Sequence, residues 1–306
     1  MKTFSLATVL GLTALACLPA TAANWSDTYL GYQYSSQFRD PGIAGTVIKN
    51  RFELSGVYGW DYGTNFFDVN MLAASHRDPA NNAGAVPGSG FPGTVNTNAG
   101  QAQTGVPGDT EVYCVYRTSL DLGKVFKTKM AFGPVREVDF TAGFDFDSTD
   151  NQFASNKKFI MAGPQLNFNV SKGFWNLGVA ACREQNYNGV VFKEVDFKTT
   201  YMIFTAWGKN FDLGVPVEFK GWANYIGPKG NDGFGAATVG ETVGDAYLMF
   251  DLSGFIGRKK GAVSIGPGFE YWNNKFGDKN VTAPASQPYN NNQQVNALLL
   301  AAEFHF

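Results

Sequence analysis

The stretch Gln294 to Phe306 carries the strongest constraint in this chain. Taken in steps of two from its end, it gives Phe306, Phe304, Ala302, Leu300 and Leu298, all apolar, while the interleaved set holds His305 and Glu303. A period of two puts the first set on one face of a strand and the second on the other. An apolar-faced final strand needs its free edge paired. Pairing it with the first strand closes a barrel and removes the edge altogether.

Period-two segments bounded by turn residues recur along the chain. They fall at about 26–35, 49–60, 64–74, 110–122, 135–147, 157–170, 174–184, 197–208, 214–226, 245–256, 261–273 and 294–306. In the fifth, Val138, Phe140, Ala142, Phe144 and Phe146 oppose Glu137, Asp139, Thr141, Gly143, Asp145 and Asp147. In the tenth, Ala246, Leu248, Phe250 and Leu252 oppose Tyr247, Asp251 and Ser253. The expectation is an all-β fold: a transmembrane, antiparallel, up-and-down β-barrel of twelve strands.

The connections test this independently. In an even-stranded barrel with both termini on one side, odd connections share one rim and run long, and even ones share the other and stay short. The connections at 75–109, 227–244 and 274–293 are long and rich in Gly, Asn, Pro and Ala. Those at 61–63, 171–173, 209–213 and 257–260 are short, and only the fourth, 123–134, breaks the pattern. A soluble Greek-key sandwich has no reason to keep this parity. The low-complexity stretch from Ala83 to Gly105 reads as loop, and no second domain or internal repeat is evident.

Residues 1–22 read as a secretory signal. Lys2 is a basic n-region, Phe4 to Leu18 is mostly apolar, and Ala20-Thr21-Ala22 is a small-x-small cleavage site. The mature start falls at Ala23 or Asn24, and residues 23–306 form the barrel domain. Ala14-Leu15-Ala16-Cys17 fits a lipid-attachment box poorly. No later stretch approaches the roughly 20 apolar residues of a membrane-spanning helix. Cys114 falls with the outward set and Cys182 with the inward set, which argues against a disulfide.

Charged residues make up only 16% of the chain and aromatic ones 15%, with a net charge of −2. This suits a wall between lipid and water, and it lacks the basic excess of a nucleic-acid binder. Tyr32, Tyr34, Tyr58, Trp60, Trp175, Tyr225 and Tyr271 are placed to form ring girdles at the headgroup level. The inward set then lines a bore. Its candidate solute-binding members are Arg51, Glu53, Phe66, Asp68, Arg117, Glu137, Asp139, Asp145, Lys220, Trp222, Tyr247, Asp251, Glu270 and Trp272. Glu111, Tyr113, Glu218 and Glu303 share that face. Broad rings beside acids and bases suit a solute with a flat π-face and several hydroxyl or amide groups. The competing reading of each charged member is that it only satisfies its neighbour and fills a narrow barrel.

Several blocks carry a family resemblance. They are Glu53 to Val69 (ELSGVYGWDYGTNFFDV), Phe132 to Glu137 (FGPVRE), Ala162-Gly163-Pro164, and Gly268 to Gly277 (GFEYWNNKFG), with Glu303-Phe304-His305-Phe306 at the end. Together they resemble the nucleoside-specific, Tsx-like outer-membrane channel family over essentially the whole mature chain. The resemblance implies a monomeric twelve-stranded barrel in the Gram-negative outer membrane that passes nucleosides and deoxynucleosides by diffusion. It also implies recognition by bacteriophage or colicin through the outer loops. The long 75–109 loop and Asp68-Val69-Asn70 depart from the family pattern.

Two other classes compete. A loop-displaying receptor or structural barrel would need no solute traffic. An outer-membrane lipid hydrolase would need a Ser–His pair on the outer wall. Only His76 and His305 are available, and neither has an assignable serine beside it. No metal constellation, cofactor fingerprint or catalytic set is evident, so no cofactor is expected.

Overall fold

The computed structural model describes residues 23–40, 46–76, 78, 107–150, 156–188, 192–279 and 294–306. The expected signal at 1–22 and most of the 75–109 loop lie outside the described residues.

The strands are β1 (Trp25–Phe38), β2 (Val47–Trp60), β3 (Gly63–Ala74), β4 (Thr110–Asp121), β5 (Val135–Thr149), β6 (Lys157–Phe168), β7 (Gly173–Asn188), β8 (Lys193–Asp196), β9 (Thr200–Asp212), β10 (Pro216–Ile226), β11 (Glu241–Asp251), β12 (Val263–Asn273) and β13 (Gln294–His305). Each wall strand pairs antiparallel with its neighbours. β6 pairs with β7, β7 with β9, and β1 with β13, so the sheet closes into a barrel of twelve strands. Tyr34 lies opposite Leu300 in the closing pair, which is how the final strand loses its edge.

β8 is the short addition. It pairs only with the end of β7, and the chain opens at residues 197–199 before β9 begins. The expected eighth strand, 197–208, is thus shifted to Thr200–Asp212. The fourth connection is long because it holds a helical turn, α1 (Leu122–Val125), where Asp121 accepts from the Lys124 backbone N–H at 3.2 Å. Phe132 and Val135 then bridge to restart the sheet. The β11–β12 connection is longer than expected, because β11 stops at Asp251 and a 3₁₀ turn spans Ser253–Ile256.

The outer wall is apolar. Leu30, Phe52, Phe144, Ile160, Val179, Leu298, Leu300 and Phe304 project from it and are exposed, Leu298 at 62%. Rings ride near its two ends. Tyr58, Trp60 and Trp175 lie toward the short-turn rim, and Tyr32, Tyr34, Tyr225 and Tyr271 toward the long-loop rim.

The inner wall is not uniformly polar. Phe38, Tyr247, Met249, Val295, Ala297, Leu299 and Ala301 form one buried apolar cluster inside it. Phe159, Met161, Ala180, Cys182, Met202 and Ile226 form another. Cys182 is therefore inward and Cys114 has the opposite parity, as expected, and both are free thiols.

Candidate functional site: the bore

All fourteen candidate residues have inward parity in the observed register, but the structure sorts them into three groups.

The first group is tied up in a network across β1, β2, β11 and β12. Arg51 donates to Glu270 at 2.7 Å, to Asp245 at 3.3 Å and to Gln33 at 3.0 Å. It reaches Glu270 across the inner faces of β1 and β13, which lie between β2 and β12. The Tyr247 hydroxyl, within 3.0 Å of Gln33 and Asp245, is equally engaged, and its ring covers Gly268, where a Cβ would collide with it. Breaking such a buried pair leaves an uncompensated charge, so this cluster ties β2 to β11 and β12.

Elsewhere, Arg117 pairs with Asp145 at 2.5 Å and lies flat across Gly143. Lys220 pairs with Glu303 at 2.7 Å and stands 4.9 Å over the Tyr29 ring.

The second group serves local structure. Asp251 spends both oxygens on the turn, accepting from the backbone N–H groups of Ser253 and Gly261 at 2.9 Å each. The Trp272 indole donates to Glu241 at 2.7 Å, and Lys275 sits 4.6 Å over its ring. Trp272 also packs against the first apolar cluster, so little of it is left for a solute.

The third group stays accessible or keeps unspent acceptors. Phe66 and Trp222 point into the bore yet remain 38% and 37% exposed. On the same inner face of β3, Asn70 donates to Asp68 at 2.5 Å, and Asp68 Oδ1 and Asn70 Oδ1 have no partner among the described residues. Glu53 lies alongside, held by the Tyr29 hydroxyl at 2.7 Å and Gln33 at 2.9 Å. Lower on β5, Asn167 donates to Asp139 at 2.8 Å and to Glu137 at 3.1 Å, while Asp139 Oδ1 has no partner.

Sequence reasoning missed several members. Gln33 and Tyr29 organise the central network, and β1's alternation (Asp27, Tyr29, Gly31, Gln33, Ser35) could have flagged them. Lys229 pairs with Glu184 at 2.6 Å with both side chains 4% exposed, and Lys157 stands 5.5 Å over Tyr113. Lys229 sits beyond β10, where no alternation could point to it.

Near the long-loop rim, Asp40 takes Lys275 at 2.6 Å and Lys49 at 2.9 Å, and Lys49 also reaches Asp78 at 3.7 Å. The Asp109 backbone N–H donates to the Asp78 carbonyl at 2.7 Å. Burial, then the neighbouring Asp78, pushes the Asp109 carboxyl up to about 8. Burial, then Asp40, pushes Asp78 up to about 6. Burial works against the Asp40 charge, but Lys275 and Lys49 outweigh it and hold that carboxyl well below its usual range.

No family model matches the sequence, and no curated protein matches it. Among solved structures, the chain is similar to the translocator domain of autotransporter NalP from Neisseria meningitidis (10% identity, 98% of this chain and 96% of that one, TM-score 0.40). It is similar as well to KdgM porin (10%, 92% and 99%, TM-score 0.38) and to outer membrane phospholipase A from Escherichia coli (10%, 93% and 98%, TM-score 0.42). At these values none of the likenesses selects a function.

Proposed function

We infer that the chain is an outer-membrane channel for passive diffusion of nucleosides or similar small polar solutes with a flat ring. The outer wall supports the location. Arg or Lys side chains at the depth of Leu300 or Phe144 would each cost about 2–4 kcal/mol in a bilayer, and the wall there carries apolar groups instead. Lipid is thus the partner of the outer wall, and the barrel acts as a monomer.

The observation that carries the solute class is the third group. Two accessible rings face the bore from opposite walls, Phe66 on β3 beside the acceptor oxygens of Asp68 and Asn70, with Asp139 on β5, and Trp222 on β10 across from them. A nucleoside offers the complement: a π-face for the rings, and ribose hydroxyls and amines as donors. Several weak contacts of this kind let a solute leave as readily as it enters.

No catalytic role is assigned. The two ring nitrogens of His305 lie 2.9 Å from Asp27 and 3.3 Å from Glu303, so its polar contacts are with carboxylates.

Liposome swelling with nucleosides and with sugars of equal size tests the reading. Nucleosides should enter faster, and equal rates would sink the selectivity. Base stacking is worth about 1–3 kcal/mol. Phe66→Ala or Trp222→Ala should therefore raise the half-saturating concentration severalfold, while Trp272→Ala should act mainly on stability. Deleting the loop within 75–109 should abolish any phage or colicin adsorption and leave permeation intact.

A further inference from the structure

Among the described residues, four cations of the inner wall lie on carboxylates, Arg51 on Glu270, Arg117 on Asp145, Lys220 on Glu303 and Lys229 on Glu184, while Lys157 donates to the Tyr113 hydroxyl at 3.3 Å. Acceptors remain after this matching. At mid-bore, Asp68 and Glu53 lie on neighbouring strands with their carboxyls side by side, a pair that holds a proton or a cation between them. Asn70, 9% exposed, adds an amide oxygen without a partner at the same place. Toward the short-turn rim, Asp139, 4% exposed, carries another unpartnered oxygen beside Glu137. The unspent acceptors on β3 and β5 form one arc of the wall, and Asp245 Oδ1 on β11 is a further one outside it.

We propose that this arc makes the bore cation-selective, conducting small monovalent cations and cationic amines in preference to anions. The inference rests on the channel reading above. No set of three His, Cys, Asp or Glu side chains among the described residues could hold a metal ion. The cations are therefore passed along the arc rather than ligated. One unbalanced carboxylate about 4 Å from the path is worth about 1 kcal/mol in water, which enriches a monovalent cation about fivefold and depletes an anion by about the same factor.

The test is the reversal potential of the purified barrel in a planar bilayer under a KCl gradient. A potassium-to-chloride permeability ratio on the order of tenfold is expected near 0.1 M salt. It should fall toward unity near 1 M, where the screening length shrinks to about 3 Å. Glu53→Gln with Asp68→Asn should lower the ratio at low salt. Asp139→Asn, which leaves mid-bore intact, should do so independently if the double variant does not fold. Asp212→Asn, on an exposed turn, should not.

A conducting barrel with a ratio of unity or below overturns this inference and leaves the channel reading standing. Folded variants with the wild-type ratio overturn the assignment to this arc. A folded barrel that carries no current at all overturns both readings.

Discussion

Two arcs of the same inner wall treat charge in opposite ways. On the arc from β11 through β13 to β2, Arg51, Gln33, Tyr247, Asp245 and Glu270 bond chiefly to one another. On the arc from β2 to β5, Asp68, Asn70 and Asp139 keep acceptors in hand, against one, Asp245 Oδ1, on the first arc. Both arcs are buried and both come from alternating strands. The difference lies in how the donors are spent: Arg51 serves two carboxylates and Gln33, whereas Arg117 on the second arc serves Asp145 and backbone carbonyls, leaving Asp68 and Asp139 to Asn side chains with two donors each. A wall needs the first arrangement for rigidity, and a passage needs the second for contact with what moves through it.

The largest effect should come from breaking the Arg51 network. Arg51→Ala strands Glu270 and Asp245 without their cation and should cost about 3–5 kcal/mol, read as a lower denaturant midpoint for barrel unfolding. A variant that unfolds like the wild type would show that the network is ornamental. Asp68→Asn, on the open arc, has little pairing to lose. It should change stability by less than about 1 kcal/mol and act on permeation instead. A large stability loss there would erase the contrast between the arcs.

A smaller effect is expected at the long-loop rim. The Asp109 and Asp78 carboxyls bind protons more tightly in the folded rim than in an unfolded chain, whose carboxylates titrate near 4. Stability of the rim therefore rises as pH falls from about 8 toward 4, with Asp78 adding to it below about 6, and is lost as pH climbs back. Proteolysis at the base of the 75–109 loop should run faster at pH 9 than at pH 5.5. Asp109→Asn should flatten that profile, and an unchanged slope would remove the buried carboxyl as its cause.

The smallest effect should be at Arg183, which bonds Asp196 at 3.2 and 2.6 Å with both side chains more than half exposed. Water competes fully for such a pair, so Arg183→Ala should leave the unfolding midpoint unchanged.

The alternation of β5 and β13 and the parity of the connections were enough to read a closed twelve-stranded barrel, with fourteen inward candidates of the right parity. That much is local: a side chain's face follows from its position along a strand, and the pleat has a period of two. Which candidates are free was not local. Arg51 meets Glu270 because closure sets β2 and β12 two strands apart on the inner side of β1 and β13. Asp251 turns to the Ser253 and Gly261 amides because the chain bends sharply below β11. The sequence by itself determined the wall and its two faces. Only the tertiary structure decided which inward charges cancel and which stay open, because pairing depends on distances across the bore between residues far apart in the chain.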